Sequence, residues 1–173
     1  LFFYNMPIKP QVDGLSEWEW SNIPEFSLGN NNTQFSLSYK AGINNERLYF
    51  LIDVKDSTPV SQNYYRSLLA NGDYLGIKTG SGRTYYLRLD SPGEIDVYYL
   101  GANDTLRRSK DISAHWQIKN EGYQVELTTS VRNANNHFGF FVVNVEGELN
   151  GPPNTLGNIE TVQRFNKIYS ILD

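Results

Sequence analysis

The sequence predicts an all-β fold, a single antiparallel β-sandwich spanning residues 1–173. Aromatic residues make up 14% of the chain, with 12 Tyr and 9 Phe, and these residue types favour strands. Short segments with apolar residues at every second position also recur along the chain, separated by Gly, Pro and Asn, which is the pattern of half-buried strands joined by turns. A chain of 173 residues can bury one sizeable core, and no Pro/Ser/Gly-rich linker divides it.

The stretch from Arg47 to Lys78 organises the predicted sheet. It opens with RLYFLIDVKDS, in which every second residue from Leu48 to Val54 points to one face. The other face also carries large residues, so we expect a strand that is covered on both sides. The preceding segment TQFSLSYKA alternates in the same way and turns into this strand through Gly42–Asn45. The two strands should therefore form an antiparallel hairpin.

Further strands follow at regular spacing. DYLGIKTG, RTYYLRLD and EIDVYYLG are predicted to form a meander, and AHWQIKNEGYQVELTTS a hairpin. FGFFVVNVEG is apolar enough for a central strand. The segment ETVQRFNKIYSIL also fits a helical spacing, but a closing strand is preferred because sandwiches usually end by pairing a terminal strand. The apolar start, LFFYNMP, favours an edge strand or a membrane-proximal junction.

Composition excludes several functional classes. The net charge of −4 and the lack of a clustered basic face argue against nucleic-acid binding. The absence of Cys excludes disulfides and thiolate sites, and no segment approaches the ~18 apolar residues of a membrane helix. No motif of a hydrolase, metalloprotease or nucleotide-binding enzyme is present.

Four carboxylates are candidates for an acid–base pair, but each has a structural interpretation. We expect Asp53 and Asp56 to cap a strand end, Asp73 to lie at a turn, and Glu126 to point outward from its strand. Since no nucleophile–base pair accompanies them, the sequence predicts a domain without enzymatic activity.

No cofactor is firmly predicted, and calcium is the one inorganic alternative. Calcium takes carboxylate and carbonyl oxygens from loops. Asp13, Asp53, Asp56 and Asp73 lie close to predicted loops and are the candidate ligands.

Two neighbouring tryptophans, Trp18 and Trp20, share one face if their segment is extended. They would then pack over the edge of a sheet or form a stacking platform for a sugar or another ring.

Four motifs together resemble carbohydrate-binding module family 9 (CBM9) and related DOMON-like domains. In order, they are VDGLSEWEW, RLYFLIDVKDS, NGDYLGIK and EGYQVEL, within residues 8–146. The resemblance implies an extracytoplasmic jelly-roll-type β-sandwich that binds sugars, haem or other small ligands without catalysis. Such domains accompany secreted glycoside hydrolases, cytochrome-like proteins or membrane-anchored sensors.

The sequence departs from the sugar-binding pattern implied by this resemblance, in which two Trp clamp a sugar beside a Glu. Gly76 stands at the position of that Glu, the preceding loop offers Tyr64 and Tyr65, and the loop 150–158 has no aromatic residue. Haem is not expected, because Met6 lies outside the matched motifs and neither His falls within one.

We therefore predict a non-catalytic extracytoplasmic sensing domain, periplasmic or secreted, of a larger membrane-anchored bacterial protein such as a sensor histidine kinase. The alternative is a carbohydrate-binding module of a secreted polysaccharide-degrading enzyme. The partner would be a carbohydrate, another small ligand or a protein, with membrane contact only through neighbouring segments. The candidate ligand-binding residues are Trp20, Tyr64, Tyr65, Arg66 and Arg88.

Two of these assignments have structural alternatives. One of the two loop tyrosines, Tyr64 or Tyr65, packs inward in the alternative interpretation, while the other is merely exposed. Arg88 would then be a surface residue that pairs with Asp96 across a hairpin.

Overall fold

A computed structural model of the chain describes residues 3–28, 35–56, 73–135, 137–144, 154–157 and 170–172. The described residues contain fourteen strands, two short 3₁₀ turns at Trp18–Trp20 and Ala102–Asp104, and one helical turn, α1, at Val131–Ala134. The strands are β1 (Tyr4–Asn5), β2 (Phe26–Leu28), β3 (Phe35–Asn44), β4 (Arg47–Asp56), β5 (Tyr74–Thr79), β6 (Thr84–Arg88), β7 (Gly93–Glu94), β8 (Val97–Leu100), β9 (Thr105–Arg108), β10 (Ile112–Lys119), β11 (Gly122–Ser130), β12 (Phe138–Asn144), β13 (Asn154–Gly157) and β14 (Ser170–Leu172).

These strands form two seven-stranded sheets, and the predicted all-β sandwich is confirmed. Sheet 1 has the order β1-β3-β4-β11-β10-β7, with β2 also paired to β3. Sheet 2 has the order β13-β12-β5-β6-β8-β9-β14. The pairing is antiparallel except at two edges, where β1 runs parallel to β3 and β14 runs parallel to β9.

The hairpins and the meander predicted from apolar alternation are present. β3 and β4 pair from Asn44↔Arg47 to Phe35↔Asp56, and β10 and β11 close at Lys119↔Gly122. β5, β6 and β8 are consecutive neighbours in sheet 2, while the intervening β7 crosses to pair with β10. LFFYNMP supplies the edge strand β1, and the final segment ETVQRFNKIYSIL supplies the closing strand β14. Residues 160–169 of that segment lie outside the described part of the chain.

The main core lies between the two sheets. It is built from the inward-facing residues, which are the apolar residues at every second position of each strand. Phe50, Ile52 and Val54 of β4 meet Leu75 and Ile77 of β5 within it. A second, smaller core covers the opposite face of sheet 1, where the segment before β2 packs on β4. Its buried members are Met6, Trp20, Ile23, Tyr49 and Leu51.

None of the helices in the described residues has the length and apolar composition of a segment that spans a bilayer.

Two glycines at turns provide a matched test of how closely β4 and β11 approach. Gly122 has φ +145° and Gly82 has φ +82°, both in the region that disfavours residues with a side chain. A Cβ at Gly122 would lie 1.9 Å from the carbonyl oxygen of Val54, whereas a Cβ at Gly82 would meet no atom within 4 Å. We predict that Gly122→Ala lowers the free energy of unfolding by about 3 kcal/mol or more, because overpacking adds to the backbone strain.

The matched variant Gly82→Ala should cost only about 1–2 kcal/mol, since it carries the backbone strain alone. Urea denaturation followed by circular dichroism measures both values. Equal costs for the two variants would contradict the close contact at Gly122.

Candidate functional site

The outer face of sheet 2, which points away from the main core, carries the position at which the family resemblance implies a Glu. In this chain that position is Gly76, paired with Phe141 of β12. The ring of Phe141 lies directly above it, since a Cβ at Gly76 would come within 1.9 Å of the ring carbon Cζ. The space that a side chain at Gly76 would need is therefore filled by Phe141.

Phe141 belongs to a cluster of aromatic rings on this outer face. Its ring lies 6.4 Å from that of Tyr74, and the ring of Tyr74 lies 6.2 Å from that of Tyr86. All three side chains are buried, with at most 8% of their surface exposed. The cluster therefore stiffens the sheet but presents little ring surface to a ligand.

Arg88 lies at the border of this cluster, in register with Tyr74. Its Nε donates to Asp90 Oδ1 at 2.7 Å, and 13% of its side chain is exposed. The predicted alternative, a side-chain pair between Arg88 and Asp96, is wrong. Asp96 pairs instead with Arg108 at 2.7 Å, while only the backbone N–H of Arg88 donates to the Asp96 carbonyl.

The predicted loop residues Tyr64, Tyr65 and Arg66 lie outside the residues that the structure describes. Their loop connects β4 to β5, and Tyr74 is the first residue of β5. Because Arg88 pairs with Tyr74, it lies beside the point at which the loop rejoins the sheet. Arg88 is thus the described candidate that strand order brings near this loop.

Trp20 is not part of this face. Its segment forms a 3₁₀ turn rather than a strand, so the predicted shared face of the two tryptophans is wrong. Trp18 is 64% exposed, whereas Trp20 is 1% exposed and packs in the second core on sheet 1. A platform that combines Trp20 with Arg88 is therefore absent, because the two residues belong to different sheets.

Trp20 is held in place by Glu126, which projects from the outer face of sheet 1. The indole Nε1–H donates to Glu126 Oε1 at 2.9 Å, and the backbone N–H groups of Asp13 and Gly14 donate to Oε2 at 3.0 and 3.3 Å. Glu126 points away from the main core as expected, but it is fully buried. The N-terminal segment therefore covers a carboxylate that the sequence suggested would face solvent.

Burial raises the pKa of Glu126 to about 7, against the lowering effect of the three donors. The carboxylate of Asp13 adds a smaller increase. Because the carboxyl group of Glu126 accepts from three donors of the N-terminal segment, its role is structural.

The four aspartates proposed as calcium ligands do not converge. Asp13 accepts from the backbone N–H of Leu15, and Asp53 of β4 is bonded to Lys119 and Gln124. The structure contains, among its described residues, no group of three or more carboxylates or imidazoles suited to a metal. Calcium binding by these four side chains stays a prediction.

Asp56 and Asp73 flank the loop that joins β4 to β5, and both are 1% exposed. They lie near Tyr123, whose pKa is raised well above 10 by burial, then by the charges of Asp73 and Asp56. The hydroxyl of Tyr123 therefore stays neutral at this end of the sandwich.

Comparison with known proteins supports the fold. A CBM9 domain from Caldicellulosiruptor kristjanssonii in complex with glucose aligns over 90% of this chain and 83% of its own, with a TM-score of 0.58 and 15% identity. A CBM9 domain of the same organism in complex with cellotriose gives a TM-score of 0.56 at 16% identity, over 90% of this chain and 81% of that one. A proposed carbohydrate-binding protein of Bacteroides uniformis gives 0.51 at 9% identity, over 87% and 86%.

No family model matches the chain, and no curated protein matches it. The chain has a CBM9-like β-sandwich fold, as its motifs predicted. The DOMON-like part of that resemblance stays a prediction.

The contact between Gly76 and Phe141 is testable by a double-mutant cycle. Gly76→Glu should lower the free energy of unfolding by about 1–3 kcal/mol, because the ring of Phe141 occupies the space of the new side chain. Phe141→Ala alone should cost about 3–5 kcal/mol. The double variant should be more stable than the sum of these losses predicts, by about 0.5–3 kcal/mol.

Thr84→Glu, on the same face of the neighbouring strand, is the control and should show no such coupling with Phe141→Ala. Thermal and urea unfolding measure the cycle. Strict additivity of Gly76→Glu and Phe141→Ala would exclude the proposed overlap.

The raised pKa of Glu126 predicts that the stability of the folded chain depends on pH. Its pKa is near 7 in the folded state and near 4.5 when unfolded, so the folded state binds the extra proton between these values. Its contribution to stability is complete below about pH 4.5 and is lost as pH rises through 7, by about 3 kcal/mol.

Glu126→Gln removes this titration. We therefore expect the difference in unfolding free energy between the wild type and Glu126→Gln to shift by nearly that amount between pH 5 and pH 8. Titrating groups that do not interact with Glu126 cancel in the difference. A difference that stays constant with pH would show that Glu126 does not titrate in this range.

Proposed function

We propose that this chain is a non-catalytic carbohydrate-binding domain, the alternative of our two sequence predictions. The observation that carries the proposal is the fold, which the chain shares over 90% of its length with a module solved with glucose and with cellotriose. Modules of that family bind without catalysis, in agreement with the lack of an acid–base motif in this sequence. The fold alone does not define a ligand, so the proposal also needs a plausible contact surface.

The surface we propose lies at the end of the sandwich where the loop 57–72 leaves β4. Tyr64 and Tyr65 would stack on the apolar faces of pyranose rings, and Arg66 and Arg88 would donate to sugar hydroxyls. Arg88 supports this assignment, since its strand position lies beside the end of that loop.

The filled space above Gly76 changes what such a surface offers. A carboxylate there would accept hydrogen bonds from sugar hydroxyls, but the ring of Phe141 occupies the position. The guanidinium groups of Arg66 and Arg88 cannot replace that carboxylate, because they donate hydrogen bonds and accept none. We therefore expect modest affinity, because each aromatic contact contributes only about 0.5–1.5 kcal/mol beyond its buried area.

Calorimetric titration with glucose, cellotriose and soluble polysaccharides tests the proposal. Tyr64→Ala/Tyr65→Ala should weaken binding roughly tenfold, as expected for the loss of two stacking contacts. Arg88→Ala should also weaken it, through the loss of charge-assisted hydrogen bonds.

Two matched controls should leave the affinity unchanged. Tyr4→Ala removes a tyrosine that is 37% exposed on sheet 1, and Arg108→Ala removes an exposed arginine of sheet 2. Failure of every glycan to bind would contradict the proposed function. A glycan affinity that the loop variants leave unchanged and a control variant lowers would contradict the proposed surface. It would not contradict the proposed function.

The sensing role and the extracytoplasmic location stay predictions. A sensor input domain would have the same fold, and no observation on the described residues favours it over carbohydrate binding. The sequence of the full gene product tests it, because a sensor requires a membrane segment and a signalling domain beside these residues.

A further inference from the structure

Two adjacent cavities lie at the end of the sandwich opposite the loop 57–72. The first has a volume of ≈ 440 Å³ and the second ≈ 480 Å³, within the usual range of small-molecule sites. They meet at His137 and Phe138, which line both. Since β4 begins and β5 ends at this end, the cavities are separated from the proposed sugar surface by the length of the sandwich.

The side chains that line the first cavity are apolar apart from that of His137. Its lining side chains come from β3, β4, α1, β12 and the segment before β1, and they are Phe3, Ile43, Leu48, Val131, Ala134 and Phe138. Its aromatic wall is braced by the core, because the ring of Phe138 stacks on that of Phe50 at 4.3 Å and meets Phe3 edge-on at 6.4 Å. Such a wall suits an aliphatic or aromatic body.

The second cavity is open, and Lys78 is the cationic residue among the described residues that line it. Three of its lining residues are glycines, Gly80, Gly82 and Gly139, so no side chains obstruct it there. Lys78 is exposed and projects from the outer face of sheet 2 beside Gly139. None of the described lining residues of either cavity carries a carboxylate.

Two acidic residues at this end, Asp111 and Glu46, line neither cavity. Asp111 accepts from Tyr85 at 2.9 Å and from Arg83 at 3.1 Å. Glu46 lies in the turn between β3 and β4 and lines neither cavity. Lys78 therefore meets no carboxylate among the described residues that line the two cavities.

The boundary between the cavities is fixed by backbone hydrogen bonds. The N–H of Gly80 donates to the carbonyl oxygens of Ala134 and His137 at 2.8 and 3.0 Å. The Nδ1 atom of His137 lies 3.3 Å from the carbonyl oxygen of Asn135. These contacts hold the turn between β5 and β6 against the start of β12, so both cavities keep their positions relative to Lys78.

We propose that the two cavities form one binding site for a small organic acid with an apolar body. The body occupies the apolar cavity between α1 and Phe138, and the carboxylate reaches past His137 to Lys78. This site is separate from the proposed carbohydrate surface and does not depend on it.

Octanoate tests the proposal against two partial mimics. Octanamide keeps the apolar body without the charge, and acetate keeps the charge without the body. In a ¹⁵N-resolved NMR titration of the full chain, octanoate should shift the amide signals of Gly80, Val131, His137 and Phe138 in a saturable manner. Octanamide should bind roughly tenfold more weakly, and acetate should not saturate.

Two variants assign the parts of the site. Lys78→Ala should weaken octanoate roughly tenfold and leave octanamide unchanged. Val131→Phe should abolish binding of both, because the new ring fills the apolar cavity, and Val131 is only partly buried, so the fold should accept it. The control Lys110→Ala removes an exposed lysine elsewhere and should change nothing.

Three results would overturn the proposal: shifts scattered over the surface, equal binding of octanoate and octanamide, or insensitivity to both site variants in folded protein. Tyr64→Ala/Tyr65→Ala separates this site from the carbohydrate surface. That variant should keep octanoate binding whether or not the chain binds glycans.

Discussion

Strands β4 and β11 pair along residues 122–130 in the middle of sheet 1 and bury side chains on both of their faces. Their inner face contributes to the main core between the sheets, and their outer face lies beneath the N-terminal segment. Buried polar side chains on a strand that is covered on both sides are mostly hydrogen-bonded. The outer face of β11 carries Gln124, Glu126 and Thr128, and each is bonded. The position of the N-terminal segment follows from this requirement.

The bonds of these polar residues show how one row of side chains positions distant parts of the chain. Gln124 donates to Asp53, and Thr128 donates to the carbonyl oxygen of Leu48 at 2.9 Å. Glu126 instead accepts from three groups more than 100 positions away, and so fixes the segment that carries Trp20. A carboxyl with that role contributes to the fold, so its protonation makes the stability of the whole domain depend on pH.

The two sheets differ in what their outer faces offer. Sheet 1 is covered by its own N-terminal segment, whereas the outer face of sheet 2 is closed by aromatic rings that include Phe141. Both sites that we propose lie at the ends of the sandwich rather than on these two faces. One end bears the cavities beside Lys78 and His137, and the proposed sugar surface lies at the other end, where β4 ends and β5 begins. This arrangement is common in sandwich domains, since loops gather at the ends of the sheets.

The sequence by itself determined the strands, the hairpins and the sandwich, because apolar alternation and turn residues act between near neighbours in the chain. RLYFLIDVKDS and the hairpin around Asn120 could be recognised in this way.

Only the tertiary structure decided the site. Phe141 lies above Gly76 because of a register between strands 65 positions apart, and Arg88 pairs with Asp90 rather than Asp96 through side-chain packing. The burial of Trp20 and Glu126 depends equally on a contact across more than 100 positions. Such contacts leave no local pattern, so the fold could be predicted from the sequence and its site could not.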